Sequence, residues 1–164
     1  MRYNKNMEVT KYRLALVRES AFVYDGVSIA GPEDAVKIAY RSLHDSPVER
    51  LIAILLSTGG HVIGVCDIGL GDLSSAIASP ASIAKAALLG NASSVILAHN
   101  HPSGDPTPSL SDISVNNCVT AALELFDIEL LDSLVIGDNQ YSSTTRPGER
   151  IPIGPICENP GIAV

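Results

Sequence analysis

The sequence lacks tryptophan and has few aromatic and few cationic residues. Its 164 residues include five tyrosines, two phenylalanines and 11 lysines and arginines, against 18 aspartates and glutamates, for a formal net charge of −7. Between residues 51 and 145, the only lysine or arginine is Lys85. Because non-specific nucleic-acid binding depends on cations that neutralise phosphates, this distribution argues against it. Five cations crowd the first eighteen residues, where we expect a solvated edge strand.

Cysteines are few, and no hydrophobic run is long. Cys66, Cys118 and Cys157 are widely spaced and form no C-x-x-C pair, which favours a reducing compartment and small buried side chains over a disulfide framework. The first ten residues are polar and do not resemble a signal peptide. The apolar run over 51–56 is far shorter than the roughly 18 residues of a membrane span. We therefore expect a cytoplasmic protein with no membrane partner.

The residues that are present favour a single folded domain. Hydrophobic residues make up 46% of the chain, enough to bury a core at this length. The predicted elements are helices over 32–44, 80–89 and 110–126, a hairpin of strands over 49–57 and 61–68, and strands over 95–98, 128–136 and 141–143. Both hairpin strands are apolar at consecutive positions, which predicts central strands covered on both faces. The interleaving predicts an α/β fold, a three-layer sandwich with a mixed β-sheet.

The two ends of the chain differ in composition from its middle. We expect strands over 12–17 and 21–23 within an N-terminal segment, residues 1–29, and a domain core over residues 30–145. Residues 146–164 hold four of the ten prolines and three of the thirteen glycines, which predicts a tail.

The chain has only four histidines, and two of them form a pair. His44 and His61 stand alone, at a predicted helix end and beside a glycine turn, and are best explained structurally. His99 and His101 form an H-x-H pair at the end of an apolar strand, and the strand period of two places both rings on one side. A catalytic zinc site needs a third ligand beside such a pair.

The residues after the pair offer that ligand. Asp112 falls on the first turn of the third predicted helix, and the proline-rich loop before it can fold the turn back toward the strand end. Ser109 and Asp112 also have the spacing of an ordinary helix cap, which explains the helix start but not the histidines. Asp105 is a competing ligand, although an aspartate between Gly and Pro is more often a turn former.

Taken together, these residues resemble a known family. His99-x-His101 followed by Ser109 and Asp112 at this spacing matches the JAMM motif of the JAB/MPN metalloproteases. The longer string that starts at His99, HNHPSGDPTPS, resembles the RadC branch of that family. The resemblance covers about residues 30–150 and includes the hairpin, LDSLVIG and YSS. It implies a JAB/MPN fold, which is a cytidine-deaminase-like α/β sandwich.

The resemblance also implies residue roles and a reaction. His99, His101 and Asp112 would bind zinc, Glu49 would be the general base, and Ser109 would stabilise the oxyanion. The implied reaction is zinc-dependent hydrolysis of a peptide or isopeptide bond in a peptide or protein substrate, with ubiquitin-like proteins among the candidates. From the residues alone, Glu49 would be a charge at a strand edge, paired with its neighbour or solvated.

The chain departs from the RadC pattern in three places. Residues 79–82 read SPAS where relatives usually have His-Pro-Arg-Glu, and Ser133 stands where they commonly have His. Full-length relatives carry an upstream helix-hairpin-helix region, for which residues 1–29 leave no room, so we expect it to be lacking. These departures bear on substrate and on nucleic-acid association, and they leave the predicted metal ligands intact.

Other functions compete with hydrolysis. A nucleobase deaminase needs H-x-E followed by P-C-x-x-C, and the chain has neither. A nuclease would use the metal but would need cations to hold phosphates. The remaining alternative is a RadC-like DNA-repair accessory or a non-catalytic protein-interaction module. Only the historical name of the family suggests the accessory role, and the lack of the upstream region weakens it. Non-catalytic modules typically lose the metal ligands that this chain keeps. The sequence leaves the oligomeric state open.

Overall fold

The described part of the chain folds around one mixed β-sheet. The computed structural model describes residues 10–22, 26, 28–70 and 79–154. The strand order across the sheet is β2-β1-β3-β4-β5-β6, with β3 and β4 parallel and all other neighbours antiparallel. In chain order the elements are α1 (Pro32–Leu43), β1 (Arg50–Leu56), β2 (Val62–Leu70), α2 (Pro80–Leu89), β3 (Ser94–Asn100), α3 (Leu110–Glu124), β4 (Glu129–Ile136), β5 (Gln140–Ser143) and β6 (Arg146–Pro152).

Helices cover both faces of the sheet, which confirms the predicted α/β sandwich. On one face, α1 contributes Ile38 to a cluster that includes Ile96 of β3. On the other face, α2 and α3 contribute Ile83 and Leu123 to a cluster that includes Leu97. Every residue of β3 is buried between the two helical layers, which explains its continuous apolar sequence.

The helices begin where local chemistry predicts. α1 and α2 each start at a proline, at Pro32 and Pro80, whose missing N–H costs nothing in a first turn. α3 starts after Ser109, whose side chain accepts a hydrogen bond from the backbone of the first turn. α3 ends at Glu124, two residues earlier than predicted, and Phe126 is half exposed rather than on the inner face.

The predicted hairpin forms, but β2 is not a central strand. Within the described residues it lies at the edge of the sheet and exposes Ile63 and Leu70. Its side chains nevertheless pack against the core on both faces of the sheet, Cys66 and Ile68 on the side of α2 and α3 and Val65 on the side of α1. The prediction of a central strand was therefore wrong, whereas that of two covered faces holds in part, because side chains of an edge strand can still reach both helical layers.

The strand predicted over 12–17 is also wrong. Residues 10–22 adopt no regular secondary structure, and Tyr12, Leu14 and Val17 are each more than 80% exposed. A strand forms only against a neighbour that accepts its backbone hydrogen bonds, and none of the described strands does so for this segment.

The tail predicted over 146–164 is wrong for its first part. β6 occupies residues 146–152 and pairs with β5, with Tyr141 opposite Ile151. Its two prolines are tolerated because β6 is an edge strand among the described residues, where a missing N–H can face away from the ladder. Residues 155–164 lie outside the described residues. The same holds for residue 23, the last of the predicted strand 21–23, whose first two residues are in no strand.

No helix among the described residues is long and apolar enough to cross a membrane. The longest one, α3, has 15 residues, whereas a span needs about 20.

The two described cysteines are free thiols in different surroundings. Cys66 is partly buried, and burial raises the pKa of its thiol. Cys118 is exposed on α3, contrary to the expectation of buried cysteines. Cys157 lies outside the described residues.

Candidate metal centre

β3 brings His99 and His101 to one end of the sheet, on the same side. Side chains alternate along the strand, so both histidines follow Leu97 onto the face that carries α2 and α3. The N–H of His101 donates to the carbonyl of Ile136 at 2.9 Å, which holds the second histidine against β4 just beyond the end of β3. The two Nε2 atoms lie 3.1 Å apart. The two rings therefore present a pair of adjacent nitrogen donors.

The first turn of α3 brings a carboxylate to this pair. Oδ1 of Asp112 is 3.5 Å from Nε2 of His99, and Oδ2 is 3.7 Å from Nε2 of His101. Ser109 donates its backbone N–H and its hydroxyl to Oδ2, each at 2.6 Å, and its oxygen accepts the N–H of Asp112 at 3.2 Å. Ser109 and Asp112 thus form a capping box and also bring a carboxylate to the histidines, so the two interpretations of their spacing are compatible.

Glu49 completes a group of four side chains. Its Oε1 is 3.8 Å from Nε2 of His101, and one ligand atom from each of Glu49, His99, His101 and Asp112 lies within 4.8 Å of the others. The side chains of His99 and Asp112 are 3% and 4% exposed, whereas those of His101 and Glu49 are 17% and 18% exposed. The group therefore opens to solvent on the side of Glu49.

A backbone carbonyl fixes the tautomer of His101. Nδ1 of this histidine lies 2.7 Å from the carbonyl oxygen of Asp105, which can only accept, so Nδ1 carries the hydrogen and Nε2 keeps its lone pair for a metal. The carboxylate of Asp105 does not join the group. It accepts from the N–H and hydroxyl of Thr107 and pairs with Arg150. Asp105 is thus a turn former whose contribution to the site is its carbonyl.

The electrostatics of the group favour a cation. Burial alone would raise the pKa of Asp112, but the neighbouring imidazoles of His101 and His99 and the hydrogen bonds from Ser109 outweigh it and hold the pKa well below the ordinary carboxyl value. The nearby Asp112 carboxylate raises the pKa of His101, against the opposite effect of burial. A metal ion would compete with the proton on His101, because histidine ligands must be deprotonated.

The donor set fits zinc. Two imidazoles and one carboxylate form a common ligand set of catalytic zinc, which keeps a fourth position open. Tetrahedral zinc with bonds of about 2.0–2.1 Å places neighbouring donors about 3.4 Å apart. The Nε2 atoms of His99 and His101 are 3.1 Å apart; Oδ1 of Asp112 lies 3.5 Å from the first and Oδ2 lies 3.7 Å from the second. These side chains could therefore hold a metal once one carboxylate oxygen turns toward both nitrogens.

The other histidines lie outside this group. His44 follows α1, where its Nδ1 lies 2.8 Å from the carbonyl oxygen of Tyr40 and its ring stacks on the tyrosine. His61 follows the hairpin turn. The described residues contain one group of potential metal ligands, and it is the one that includes His99.

Comparisons with known proteins find relatives that match about three quarters of this chain. A UPF0758 protein of Desulforamulus reducens is 39% identical over 122 residues, which cover 74% of this chain and 54% of that protein. UPF0758 proteins of Clostridium acetobutylicum and Clostridium tetani are 36% and 40% identical over 125 and 119 residues, covering 76% and 73% of this chain and 55% and 52% of theirs. The chain thus spans about half the length of these relatives.

A family model also matches most of the chain. The match covers residues 29–149, a range that contains Glu49, His99, His101 and Asp112, and the family is described as the RadC-like JAB domain. The mixed sheet with helices on both faces is consistent with a JAB/MPN domain. The chain therefore belongs to the RadC-like JAB domain family.

Proposed function

We propose that this domain is a zinc-dependent metallohydrolase of the JAMM type that cleaves a peptide or isopeptide bond. The observation that carries the proposal is the convergence of Glu49, His99, His101 and Asp112 at one end of the sheet. Three of these side chains provide the nitrogen and oxygen donors of a catalytic zinc site, and the fourth is a carboxylate on its more open side.

His99, His101 and Asp112 would hold the zinc. A bound zinc ion supplies Lewis acidity, which polarises a substrate carbonyl and lowers the pKa of water to about 7. Ser109 orients the carboxylate of Asp112 by donating to Oδ2, which leaves Oδ1 directed toward His99. Asp105 orients His101 through its carbonyl.

The position of the Glu49 carboxylate, 3.8 Å from Nε2 of His101, supports its proposed role as the general base. The carboxylate accepts a proton from the attacking water and returns it to the nitrogen of the leaving amine, which is the role that a carboxylate beside a metal performs in such hydrolysis. The assignment of Ser109 to the oxyanion requires one movement. Its hydroxyl hydrogen is directed at Asp112, so the hydroxyl must rotate before it can donate to a substrate oxygen.

A groove beside the site supports a polypeptide substrate. It has a volume of about 570 Å³ and lies between the outer face of α3 and the β5–β6 hairpin, next to the loop that joins His101 to Asp112. Its surface is mostly apolar, with hydroxyl and amide side chains such as Asn116 and Thr120 at intervals. Its one cation, Arg150, already pairs with Asp105, so the groove suits the side chains and backbone of a polypeptide better than phosphates.

Hydrolysis can be tested with two substrate pools. One pool contains fluorescence-quenched peptides, and the other contains the same sequences joined through lysine isopeptide bonds. Zinc-loaded protein is expected to cleave members of at least one pool and to stop when a chelator removes the zinc. Glu49→Gln is expected to keep its zinc affinity and to lose about 100-fold or more in rate. Cleavage of neither pool, or an unchanged rate for Glu49→Gln, would overturn the proposal.

A further inference from the structure

The residue between the two histidines faces the opposite side of the sheet. Asn100 follows Ile96 and Ala98 along the strand, on the face covered by α1, while His99 and His101 face α3. Its side chain belongs to a residue that is only 5% exposed. A buried amide must find partners for one acceptor and two donors, or its burial costs free energy.

Asn100 finds all of its partners in the segment that leads into β1. Its Oδ1 accepts the N–H of Arg50 at 2.9 Å. Its Nδ2 donates to the carbonyls of Ser46 at 3.3 Å and Val48 at 3.1 Å. The orientation of the amide is unambiguous, because a flipped amide would set its NH₂ group against an N–H.

These partners bracket Glu49. The carbonyl of Val48 belongs to the peptide group before Glu49, and the N–H of Arg50 belongs to the peptide group after it. Glu49 itself precedes β1, so the sheet ladder does not fix its backbone. Asn100 therefore holds both peptide groups that flank the residue whose carboxylate reaches within 3.8 Å of His101.

We infer that Asn100 is a positioning residue, which fixes the backbone of Glu49 so that its carboxylate stays beside the metal ligands. The inference rests on the proposed function, in which Glu49 is the general base. One strand end thus orients two sets of groups: His99 and His101 on one face, and the segment that carries the base on the other. Two further contacts hold the same segment: Ser46 Oγ donates to the carbonyl of Val48, and the Arg50 guanidinium donates to the carbonyl of Ser42.

Backbone amide exchange tests the inference without any need for activity. Asn100→Leu fills a similar volume and removes all three hydrogen bonds. The amide of Arg50 is expected to exchange about tenfold faster or more, because it loses a bond worth about that factor. The amide of Ile54 in the middle of β1 serves as the internal reference and is expected to keep its wild-type rate. Zinc affinity is expected to change by less than about threefold, since the metal ligands are all present.

Kinetics on a cleaved peptide separate positioning from general stability. Asn100→Leu is expected to lower kcat by about tenfold or more with little change in KM, and to add almost nothing when combined with Glu49→Gln. Ile83→Val, which removes one buried methyl group from the inner face of α2, is the control for general destabilisation and is expected to keep kcat. If Asn100→Leu does not fold, Asn100→Ser removes the same contacts at lower cost.

The outcomes distinguish this inference from the proposed function. An unchanged exchange rate at Arg50 would overturn the positioning role, and so would a loss of zinc affinity as large as that of a histidine variant. Faster exchange at Arg50 with full kcat would also overturn it. An unchanged rate for Glu49→Gln alone would instead overturn the assignment of Glu49 as the base.

Discussion

At the scale of single residues, Asp112 serves the fold and the candidate metal site at once. It completes the capping box of α3 through Oδ2, and the same arrangement presents its carboxylate to His99 and His101. Ser109 contributes to both because its backbone and hydroxyl restrain that carboxylate. The sequence pattern of a cap and that of a ligand therefore coincide in this protein.

Substitution of Asp112 and of Asp105 tests which of the two aspartates is a metal ligand. Asp112→Asn keeps an oxygen for the cap but loses the charge, and we expect its zinc affinity to fall by about 100-fold or more, since even outer-shell changes cost 10- to 100-fold. Asp105→Asn is the matched control, because its carboxylate lies outside the group and its carbonyl remains. Competition titration with a chromophoric chelator measures both. Equal losses in the two variants would contradict the ligand assignment.

At the scale of elements, the loop that joins His101 to Asp112 is fixed by close backbone contacts with the turn between β4 and β5. The N–H of Asp138 donates to the carbonyl of Gly104, and the hydroxyl of Ser142 donates to the carbonyl of Pro106 at 2.6 Å. A side chain at Gly137 would overlap the carbonyl oxygen of Gly104. The absence of a side chain at Gly137 therefore lets the turn support the loop that carries His101.

Gly137→Ala is expected to displace this loop. The new methyl group meets backbone atoms, which cannot swing aside as a side chain end can, so we expect a loss of about 1–3 kcal/mol in the free energy of unfolding. Zinc affinity should fall with it, because the Asp105 carbonyl that orients His101 lies in the same loop. Gly64→Ala on β2 is the control, since nothing lies within 4 Å of its added carbon. Wild-type zinc affinity in Gly137→Ala would contradict this account.

The elements that the sequence predicted correctly are those set by local chemistry. Prolines mark the starts of α1 and α2, and the period of two in β3 placed His99 and His101 on one side. Local chemistry did not predict which segments pair at the edges of the sheet. Whether residues 12–17 and 146–152 pair depends on distant strands, and both segments turned out opposite to expectation.

The candidate site was only partly predictable for the same reason. His99, His101 and Asp112 lie within one strand–loop–helix unit, so their spacing carried the information. Glu49 comes from a segment fifty residues away, and only the family resemblance pointed to it. Asn100 gave no signal, because its partners are backbone groups that become neighbours only when β1 pairs with β3.

At the scale of the whole molecule, the proposed zinc site would couple metal binding to folding. The candidate ligands come from β3, the residue after it and α3, which are held together only in the folded domain, so zinc would bind the native state in preference to the unfolded chain. We expect zinc at 100 times its Kd to add about 2.7 kcal/mol to the free energy of unfolding. For a chain of this length, that corresponds to a rise in Tm of about 5–11 °C.

Differential scanning calorimetry with and without zinc measures this rise. His99→Gln is expected to show almost none of it, and His61→Gln, at a histidine outside the group, is expected to show all of it. A rise of equal size in wild type and His99→Gln would mean that zinc binds elsewhere on the chain.

The central claim is that His99, His101 and Asp112 form a zinc site, and X-ray absorption at the zinc edge tests it most directly. The protein is loaded with one equivalent of zinc and the first coordination shell is determined. The account predicts two imidazole nitrogens with oxygen donors at about 2.0–2.2 Å and no sulfur. A sulfur donor at about 2.3 Å, or fewer than two imidazoles, would contradict the claim.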